Sequence, residues 1–323
     1  MSTILVTGAA GFIGSHTVDA LLAEGHTVVG IDNFRTGQRA NLAAAGQNAR
    51  FILHEADVTD ALRLQAILQA ARAEAVIHLA ALVSVPESIE NPEENFRLNV
   101  YGTQCIADAA RRGGVKRIVF ASSAAVYGND SVEPIGEDAP CAPRSPYGAA
   151  KLASEILLLG ESRSYGTVVR CQRYFNVYGP RQDPRSPYSG VISLFAERCL
   201  ARQPLRIYGD GRQTRDFVAV RDVARANLLA ATRPGLPSGV ANICTGRRTS
   251  LNELVGIVGG IAGATPAVAY ESSRPGDIRD SVGNPQKARD ELGLTAETSL
   301  EAGLSYYLTS LGEFPAGSNA PTA

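Results

Sequence analysis

Ser2-Thr3-Ile4-Leu5-Val6-Thr7-Gly8-Ala9-Ala10-Gly11-Phe12-Ile13-Gly14 opens the chain and decides how the rest is read. Residues 2–7 are β-branched and apolar, the pattern of a short buried strand. Three glycines follow at intervals of three, and Thr17-Val18-Asp19-Ala20-Leu21-Leu22 then has helical spacing. A strand that turns on glycines into a helix presents backbone N–H groups at the positive end of the helix dipole. Glycines let a diphosphate approach that backbone, so Gly8, Gly11, Phe12, Ile13 and Gly14 are candidate cofactor-binding residues. The plainer alternative is that the glycines serve only close strand–helix packing.

Thr27-Val28-Val29-Gly30-Ile31 reads as a second strand ending at Asp32, eighteen residues past Gly14. In a βαβ dinucleotide site the acid ~20 residues on accepts the adenosine ribose hydroxyls and repels a 2′-phosphate. The expected cofactor is therefore NAD rather than NADP, with Asp32 and the adjacent Asn33 on the ribose side. The alternative for Asp32 is a solvated acid at a strand end.

Alternation continues for some 175 residues, with strand-like segments at 50–56, 75–81, 117–121 and 167–174. Between them, 60–72, 92–112 and 147–163 carry helical periodicity. Strands alternating with helices of 10–15 residues predict an α/β fold built on a doubly wound parallel sheet. Ligands in such sheets sit beyond the carboxyl ends of the strands. After Asn176 the pattern loosens into a loop rich in proline and arginine. Shorter helices near 191–202, 220–232, 250–262, 285–292 and 299–311, with strands near 205–208 and 240–243, predict a smaller C-terminal α/β lobe with segments returning to the sheet.

At 323 residues and 45% hydrophobic the chain can bury a large core. A net charge of −1 with no basic tract gives no footprint for nucleic acid. Five cysteines without a C-x-x-C pair suit a reducing compartment, and four histidines fall in no metal-ligand spacing, so no metal site is expected. With the first strand starting at residue 2 no secretory leader is expected, and no apolar run approaches the ~20 residues of a membrane helix. The expected location is cytoplasmic, with no membrane partner.

Two stretches carry chemistry: Ser122-Ser123-Ala124-Ala125-Val126-Tyr127-Gly128 at a strand end, and Tyr147-Gly148-Ala149-Ala150-Lys151 at a helix start. Tyr147 and Lys151 stand four apart and share a helix face. A phenol with a pKa of ~10 is a poor base at neutral pH, and lowering it to ~7 takes roughly 4 kcal/mol of differential stabilisation. A lysine ammonium and a nicotinamide cation would both favour the phenolate. Ser123 can share a hydrogen bond with the same substrate hydroxyl and relay its proton. The plainer alternatives are an aromatic on a core face beside a solvated lysine, and serines that cap a turn.

With these motifs assembled, the chain resembles an extended short-chain dehydrogenase/reductase of the nucleotide-sugar epimerase group, similar to UDP-glucose and UDP-N-acetylglucosamine 4-epimerases, over roughly residues 3–311. The resemblance rests also on Asp57-Val58, His78-Leu79-Ala80-Ala81, Asn99, Arg173-Tyr174-Phe175-Asn176-Val177-Tyr178-Gly179-Pro180, Tyr208-Gly209-Asp210-Gly211, Arg215-Asp216-Phe217-Val218 and Arg274-Pro275-Gly276-Asp277. It implies an NAD-binding Rossmann domain over 1–176 with returning segments near 217–245. It further implies a nucleotide-sugar lobe over 177–216 and 246–311; residues 312–323, with nothing to bury, are expected to be a disordered tail. Asp57, Val58, Leu79, Ala80, Ala81, Asn99 and Tyr174 join the cofactor side, together with Tyr147 and Lys151. Ser84, Ser123, Tyr147, Asn176, Val191, Tyr208, Arg215, Arg274, Asp277 and Ser281 make up the implied substrate side. Guanidinium forks suit phosphate oxygens, which agrees with Arg215 and Arg274 on a diphosphate; the alternative for each is a surface ion pair.

Related dehydratases and decarboxylases carry an acid just upstream of Val-Tyr-Gly, where this chain has Ala124 and Ala125. The resemblance therefore implies a 4-epimerase of a UDP-hexose working through a 4-keto intermediate, with Ser123, Tyr147 and Lys151 catalytic. In such enzymes the residue seven past the arginine of Arg-Pro-Gly-Asp gates the sugar's C2 substituent, and a small residue admits an N-acetyl group. That position is Ser281, whose plainer reading is a solvated loop serine. Together with Ala80-Ala81-Leu82-Val83-Ser84, it implies UDP-GlcNAc/UDP-GalNAc as substrates beside UDP-Glc/UDP-Gal; Val83 stands where the hexose enzymes often have a cofactor-contacting lysine. Two alternatives stay open: epimerisation of a UDP-uronic acid or deoxy-sugar precursor, with Arg185 as the cation, and a catalytically silent NAD-binding protein. The family pairs the helices corresponding to 92–112 and 147–163 with their mates in a four-helix bundle, which implies a homodimer.

Overall fold

The computed structural model describes residues 1–129, 131–183, 190–273 and 278–312. Its first half runs β1 (Thr3–Thr7), α1 (Phe12–Ala23), β2 (Thr27–Asp32), β3 (Phe51–Glu55), α2 (Ala61–Ala71), β4 (Ala75–His78), α3 (Val85–Glu90), α4 (Pro92–Asn95), α5 (Gly102–Arg112), β5 (Arg117–Ser123), α6 (Pro146–Tyr165) and β6 (Val168–Tyr174). The second half runs β7 (Asn176–Tyr178), α7 (Val191–Leu200), β8 (Leu205–Tyr208), β9 (Thr214–Arg215), β10 (Phe217–Ala219), α8 (Val220–Thr232), β11 (Gly239–Ile243), β12 (Thr249–Ser250), α9 (Leu251–Ile261), β13 (Val268–Glu271), β14 (Asp280–Ser281) and α10 (Leu300–Gly312).

Seven strands form one parallel sheet in the order β11-β6-β5-β4-β1-β2-β3. The chain leaves β1 toward β2 and β3, then crosses back to place β4 on the other side of β1. That reversal opens a crevice at the strand ends between β1 and β4, where doubly wound sheets bind ligands. Apolar runs bury both faces, as parallel sheets require. Val18, Leu21, Val223, Ala226 and Ala230 pack one face with Ile4 and Ile77, while Leu64, Leu68, Ile106, Ala110 and Leu158 pack the other with Leu5 and Phe120.

A separate core, including Ile192, Phe195, Leu205, Ile207, Leu251, Leu254, Leu304 and Tyr307, holds the C-terminal helices and short strands together. The sheet here gains its seventh strand from β11, which returns from this later part of the chain to pair with β6. Among the described residues, no helix is long and apolar enough to cross a membrane.

Two elements depart from the periodicity. The single helix expected over 92–112 is α4, a π-helical turn over Phe96–Tyr101, and α5. Within that turn the Asn99 carbonyl accepts the Thr103 hydroxyl (2.6 Å) and the Ser154 hydroxyl (2.9 Å). The helix expected over 285–292 is likewise a π-turn, Ala288–Leu292. The tail beyond Gly312 lies outside the described residues.

Candidate functional site

The glycine turn is a cradle that side chains would fill. Gly8 has φ +68, and a Cβ there would sit 2.8 Å from the Ala80 nitrogen. A Cβ on Gly14 would collide with the Gly8 carbonyl. Helix α1 begins with Gly11 as its N-cap, no capping side chain and no acid in its first turn. Its leading N–H groups therefore remain open to an anion, which fits the diphosphate of NAD.

Asp32 is buried at the end of β2, where its oxygens accept the N–H groups of Ala10 (2.8 Å) and Phe34 (2.8 Å). Burial pushes its carboxyl up, and the two amides oppose that. A carboxylate offers about four acceptor sites, so ribose hydroxyls can still be accommodated. After β3, burial opposes ionisation of Asp57, but hydrogen bonds from Thr59 and Asn33 hold it below the usual carboxylate range. Val58, the next residue, is buried.

Strand β4 ends at His78, between β1 and β5 in register with Thr7 and Phe120. Because the Thr103 hydroxyl donates to Asn99, it accepts from His78 Nε2 (3.2 Å), leaving Nδ1 to accept the Thr7 hydroxyl (2.7 Å). Thr7 Oγ1 in turn accepts the N–H groups of Leu79 and Ala80, both at 3.2 Å. Burial holds His78 neutral, with its pKa lowered to about 3. This chain of bonds fixes Leu79 and Ala80 beside the glycine turn. Asn99 extends it: its side chain accepts Leu82 N–H (3.0 Å) and donates to Leu82 O (2.9 Å) and Asn95 Oδ1 (2.7 Å). Its amide thus braces the loop after β4.

Two strand spacings, ~10 Å, separate the end of β1 from that of β5, where the reactive groups lie. Ser145 caps α6 by accepting Gly148 N–H (3.1 Å), and Pro146 occupies the first helical turn, so the helix begins directly before Tyr147. The Ser123 side chain lies near the Tyr147 phenol and favours its ionised form. Lys151 Nζ is buried, donates to Ala121 O (2.8 Å) and lies 5.9 Å from the Tyr147 ring centre. All three expected catalytic residues are brought together. Their electrostatics differ from the expectation. Burial pushes the Tyr147 phenol up, with Ser123 opposing, and burial pulls Lys151 down to about 7, with Glu155 opposing. Lowering the phenol therefore takes a bound cation in addition to the lysine. Tyr174 hydrogen-bonds Asn227 (2.6 Å), which reaches Thr17 on α1 (3.0 Å) and so ties the end of β6 to the cofactor helix.

On the lobe side, β9 lies between β12 and β14. Arg215 pairs in register with Ser281, and its guanidinium donates to Thr214 O (2.8 Å) and Arg279 O (3.1 Å). Ser281 is buried in β14, so the solvated-loop reading fails. Asn176 donates through Nδ2 to Asp216 O (3.3 Å), Val191 begins α7, and Tyr208 ends β8. Ser84 is buried and caps α3 by accepting Glu87 N–H (3.0 Å). Val83 is exposed. Arg185, Arg274 and Asp277 lie outside the described residues.

Three contributors were not singled out from the sequence. Ser88 Oγ accepts Tyr147 N–H (3.1 Å), and Asn95 Nδ2 donates to Pro146 O (3.1 Å), which fixes where α6 starts. Glu155 lies buried one further turn along α6, hydrogen-bonded to Ser122 and paired with Arg173 (2.7 Å). Its spacing of four past Lys151 was the available signal.

Residues 4–244 match the NAD dependent epimerase/dehydratase family. The UDP-glucose 4-epimerase of Mycolicibacterium smegmatis is 41% identical over 305 residues, covering 93% of this chain and 96% of the relative. The chain belongs to the NAD dependent epimerase/dehydratase family. Among solved structures, this epimerase/dehydratase is similar to a UDP-glucose 4-epimerase of Thermotoga maritima with UDP-glucose (TM-score 0.91, 39% identity, covering 96% of this chain and 99% of that one). It is similar too to a UDP-N-acetylglucosamine 4-epimerase of Methanobrevibacter ruminantium in complex with UDP-N-acetylmuramic acid (TM-score 0.92, 35% identity, covering 97% and 98%). NAD is the cofactor of the family, and the cradle described above fits it.

Proposed function

We propose that this chain is a UDP-hexose 4-epimerase that accepts N-acetylhexosamines as well as plain hexoses. The observation that carries the reading is buried Lys151, bonded to Ala121 O at the end of β5 and 5.9 Å from the Tyr147 ring centre, at the same end of the sheet as the glycine cradle. Tyr147 Oη receives the proton of the sugar's 4-hydroxyl, directly or through Ser123 Oγ, and later returns it to the same oxygen once hydride has come back to the opposite face of C4. Bound NAD supplies the electron-pair acceptor and then donor, and so ends the cycle as it began. Lys151 adds positive charge beside the phenol, and Ala124 and Ala125, unable to donate or accept a proton, leave no group for dehydration.

Burial of Ser281 in β14, next to Arg215, supports its place as a gate at the sugar. The diphosphate rests on Arg215 and Arg274, and Asp277 takes the nucleoside ribose. A second copy of this chain covers the exposed apolar side chains Ile89, Phe96, Tyr101 and Ile156, carried on α3, the π-turn and α6; sedimentation of the purified protein as a monomer would exclude that.

Incubation with UDP-Glc, UDP-GlcNAc and UDP-GlcUA, with products separated by chromatography, tests the reading. The first two are converted to their 4-epimers without accumulation of NADH. Conversion of UDP-GlcUA alone would favour the uronic-acid alternative. Ser281→Tyr is expected to abolish turnover of the N-acetyl substrate and spare the hexose; equal loss of both would remove the gate.

A further inference from the structure

The carboxyl end of β5 is fastened to α6 residue by residue. The Ala121 carbonyl accepts Lys151 Nζ (2.8 Å), Ser122 Oγ donates to Glu155 Oε1, and Ser123 lies near the Tyr147 phenol. Three consecutive strand residues thus face three helix residues spaced four apart, two of the pairs hydrogen-bonded. The contact at Glu155 is anchored from β6, where Arg173 forms a fork on Glu155 through Nε to Oε1 (2.9 Å) and Nη2 to Oε2 (2.7 Å). Arg173 also stacks over the Tyr127 ring at 4.7 Å. Glu155 and Arg173 are 2% and 4% exposed, so the pair is out of water and little screened by salt.

We propose that Glu155 is a positioning residue for the catalytic pair: gripped by Arg173 and Ser122, it sets the register of β5 against α6 and supplies the negative charge that answers the buried ammonium of Lys151. This rests on the epimerase reading for its consequences in turnover, while the fastening itself is independent of substrate. Among the described residues, no other ionised group beside Lys151 takes its place. His78, facing it from β4, is held neutral, and Tyr127 is pushed up to about 12 by burial. Cys171 from β6 and Cys141 from the β5–α6 connection are both pushed up by burial, so they stay thiols. Arg170 is spoken for by Glu291 (2.6 Å), and Glu137 faces Tyr127 and Cys244.

The chain has only three lysines, at 116, 151 and 287, which makes the test direct. With lysine 13C-labelled at Cε in the NAD-loaded protein, three signals are expected, and Lys116 and Lys287 serve as internal references. Glu155→Gln keeps the shape and the Ser122 bond but removes the charge. The Lys151 midpoint is expected to fall by about one pH unit, and kcat to fall ~10-fold or more at neutral pH with KM nearly unchanged. Arg173→Gln leaves Glu155 uncompensated, and the midpoint is expected to rise. Opposite signs are the outcome that a merely structural role would not give. Ser122→Ala, the mildest change, keeps the ion pair; kcat is expected to fall ~5-fold with the Lys151 midpoint unmoved.

An unmoved midpoint in Glu155→Gln, or shifts of the same sign in both charge variants, would overturn the proposal. Should either charge variant not fold, an unchanged kcat in Ser122→Ala would overturn the positioning role by itself. Parent protein that converts no UDP-hexose would remove the epimerase reading, while the titration still decides the fastening.

Discussion

Two carboxylates in this fold are buried at 2% and 0% exposure, Glu155 and Asp216, and they are satisfied by different means. Glu155 is answered charge for charge, by the Arg173 fork and the Ser122 hydroxyl. Among the described residues, Asp216 has no cation as a partner. Its oxygens accept Thr245 N–H (2.8 Å), Thr245 Oγ1 (2.6 Å), Gly246 N–H (2.8 Å) and Gly283 N–H (3.3 Å). The first arrangement lies under the reactive groups and leaves a directed field beside Lys151. The second lies where β9, β14 and the loop after β11 converge, and spreads one charge over donors from separate segments. A charge pair therefore serves where protonation has to be set, and a neutral cradle serves where pieces of backbone have to be held.

Removing Lys151 should show the largest effect on the first site. Lys151→Met is expected to lower kcat by about 10²–10⁴-fold. Its effect on stability has the other sign. A lysine whose folded-state pKa, about 7, lies below its unfolded value of ~10.4 makes the unfolded chain the tighter proton binder between the two. The parent accordingly gains stability as pH rises through that window and loses it as pH falls. Lys151→Met removes that slope and should melt a few °C higher near pH 6, where the parent carries the buried charge. Thermal melts across pH decide this: parallel curves for parent and variant would mean that Lys151 is not a buried cation under strain.

Asp216→Asn tests the second site at the next level of effect. Asparagine offers one acceptor oxygen, and its amide nitrogen meets N–H donors where the carboxylate had an oxygen. With about 1–3 kcal/mol for each buried donor left without an acceptor, a loss of about 2–4 kcal/mol is expected. Asp216 N–H donates to Ser281 O (2.9 Å), and Asn176 N–H donates to Asp216 O (3.0 Å), so the disturbance reaches the residues proposed to face the substrate. KM for the nucleotide sugar should rise while NAD affinity stays unchanged. Equal losses in both affinities would show that the cradle does not act through the lobe.

The comparison also marks what could be read from residues alone. The glycine turn, Asp32, the Tyr147–Lys151 spacing and the parallel sheet were legible because each is local: a strand, its turn and the next helix lie within about thirty residues. The lobe was not, since β7, β9, β12 and β14 are two or three residues long and too short to carry any period. Their partners lie far off, as with Ser281 against Arg215. A serine in such a segment looks like loop until the pairing is known. The knot at Glu155 joins Ser122, Glu155 and Arg173 from three elements, and only the helical spacing from Lys151 hinted at it. The π-turn at Phe96–Tyr101 left no trace in the apolar pattern, which continues through it.

The smallest effect separates the two ways of holding a carboxylate most cleanly. Thr245→Val keeps the side-chain shape and removes one of the four donors to Asp216, at a cost of about 1 kcal/mol near neutral pH. Burial already raises the Asp216 carboxyl above its ordinary value, with the Thr245, Gly246 and Gly283 bonds opposing. A raised acid weighs on stability only once it ionises: the burden is absent below the unfolded pKa and complete as pH rises through the folded one. Losing a donor lifts the folded pKa further, so the gap between parent and variant should widen with pH across the carboxylate range. Urea unfolding at about pH 4.5 and about pH 7.5 should therefore give a smaller difference at the acid end. Other titrating groups contribute alike to both proteins and cancel. A gap of the same size at both pH values would mean that the Thr245 hydroxyl holds backbone rather than charge, and Asp216 would then differ from Glu155 only in its partners.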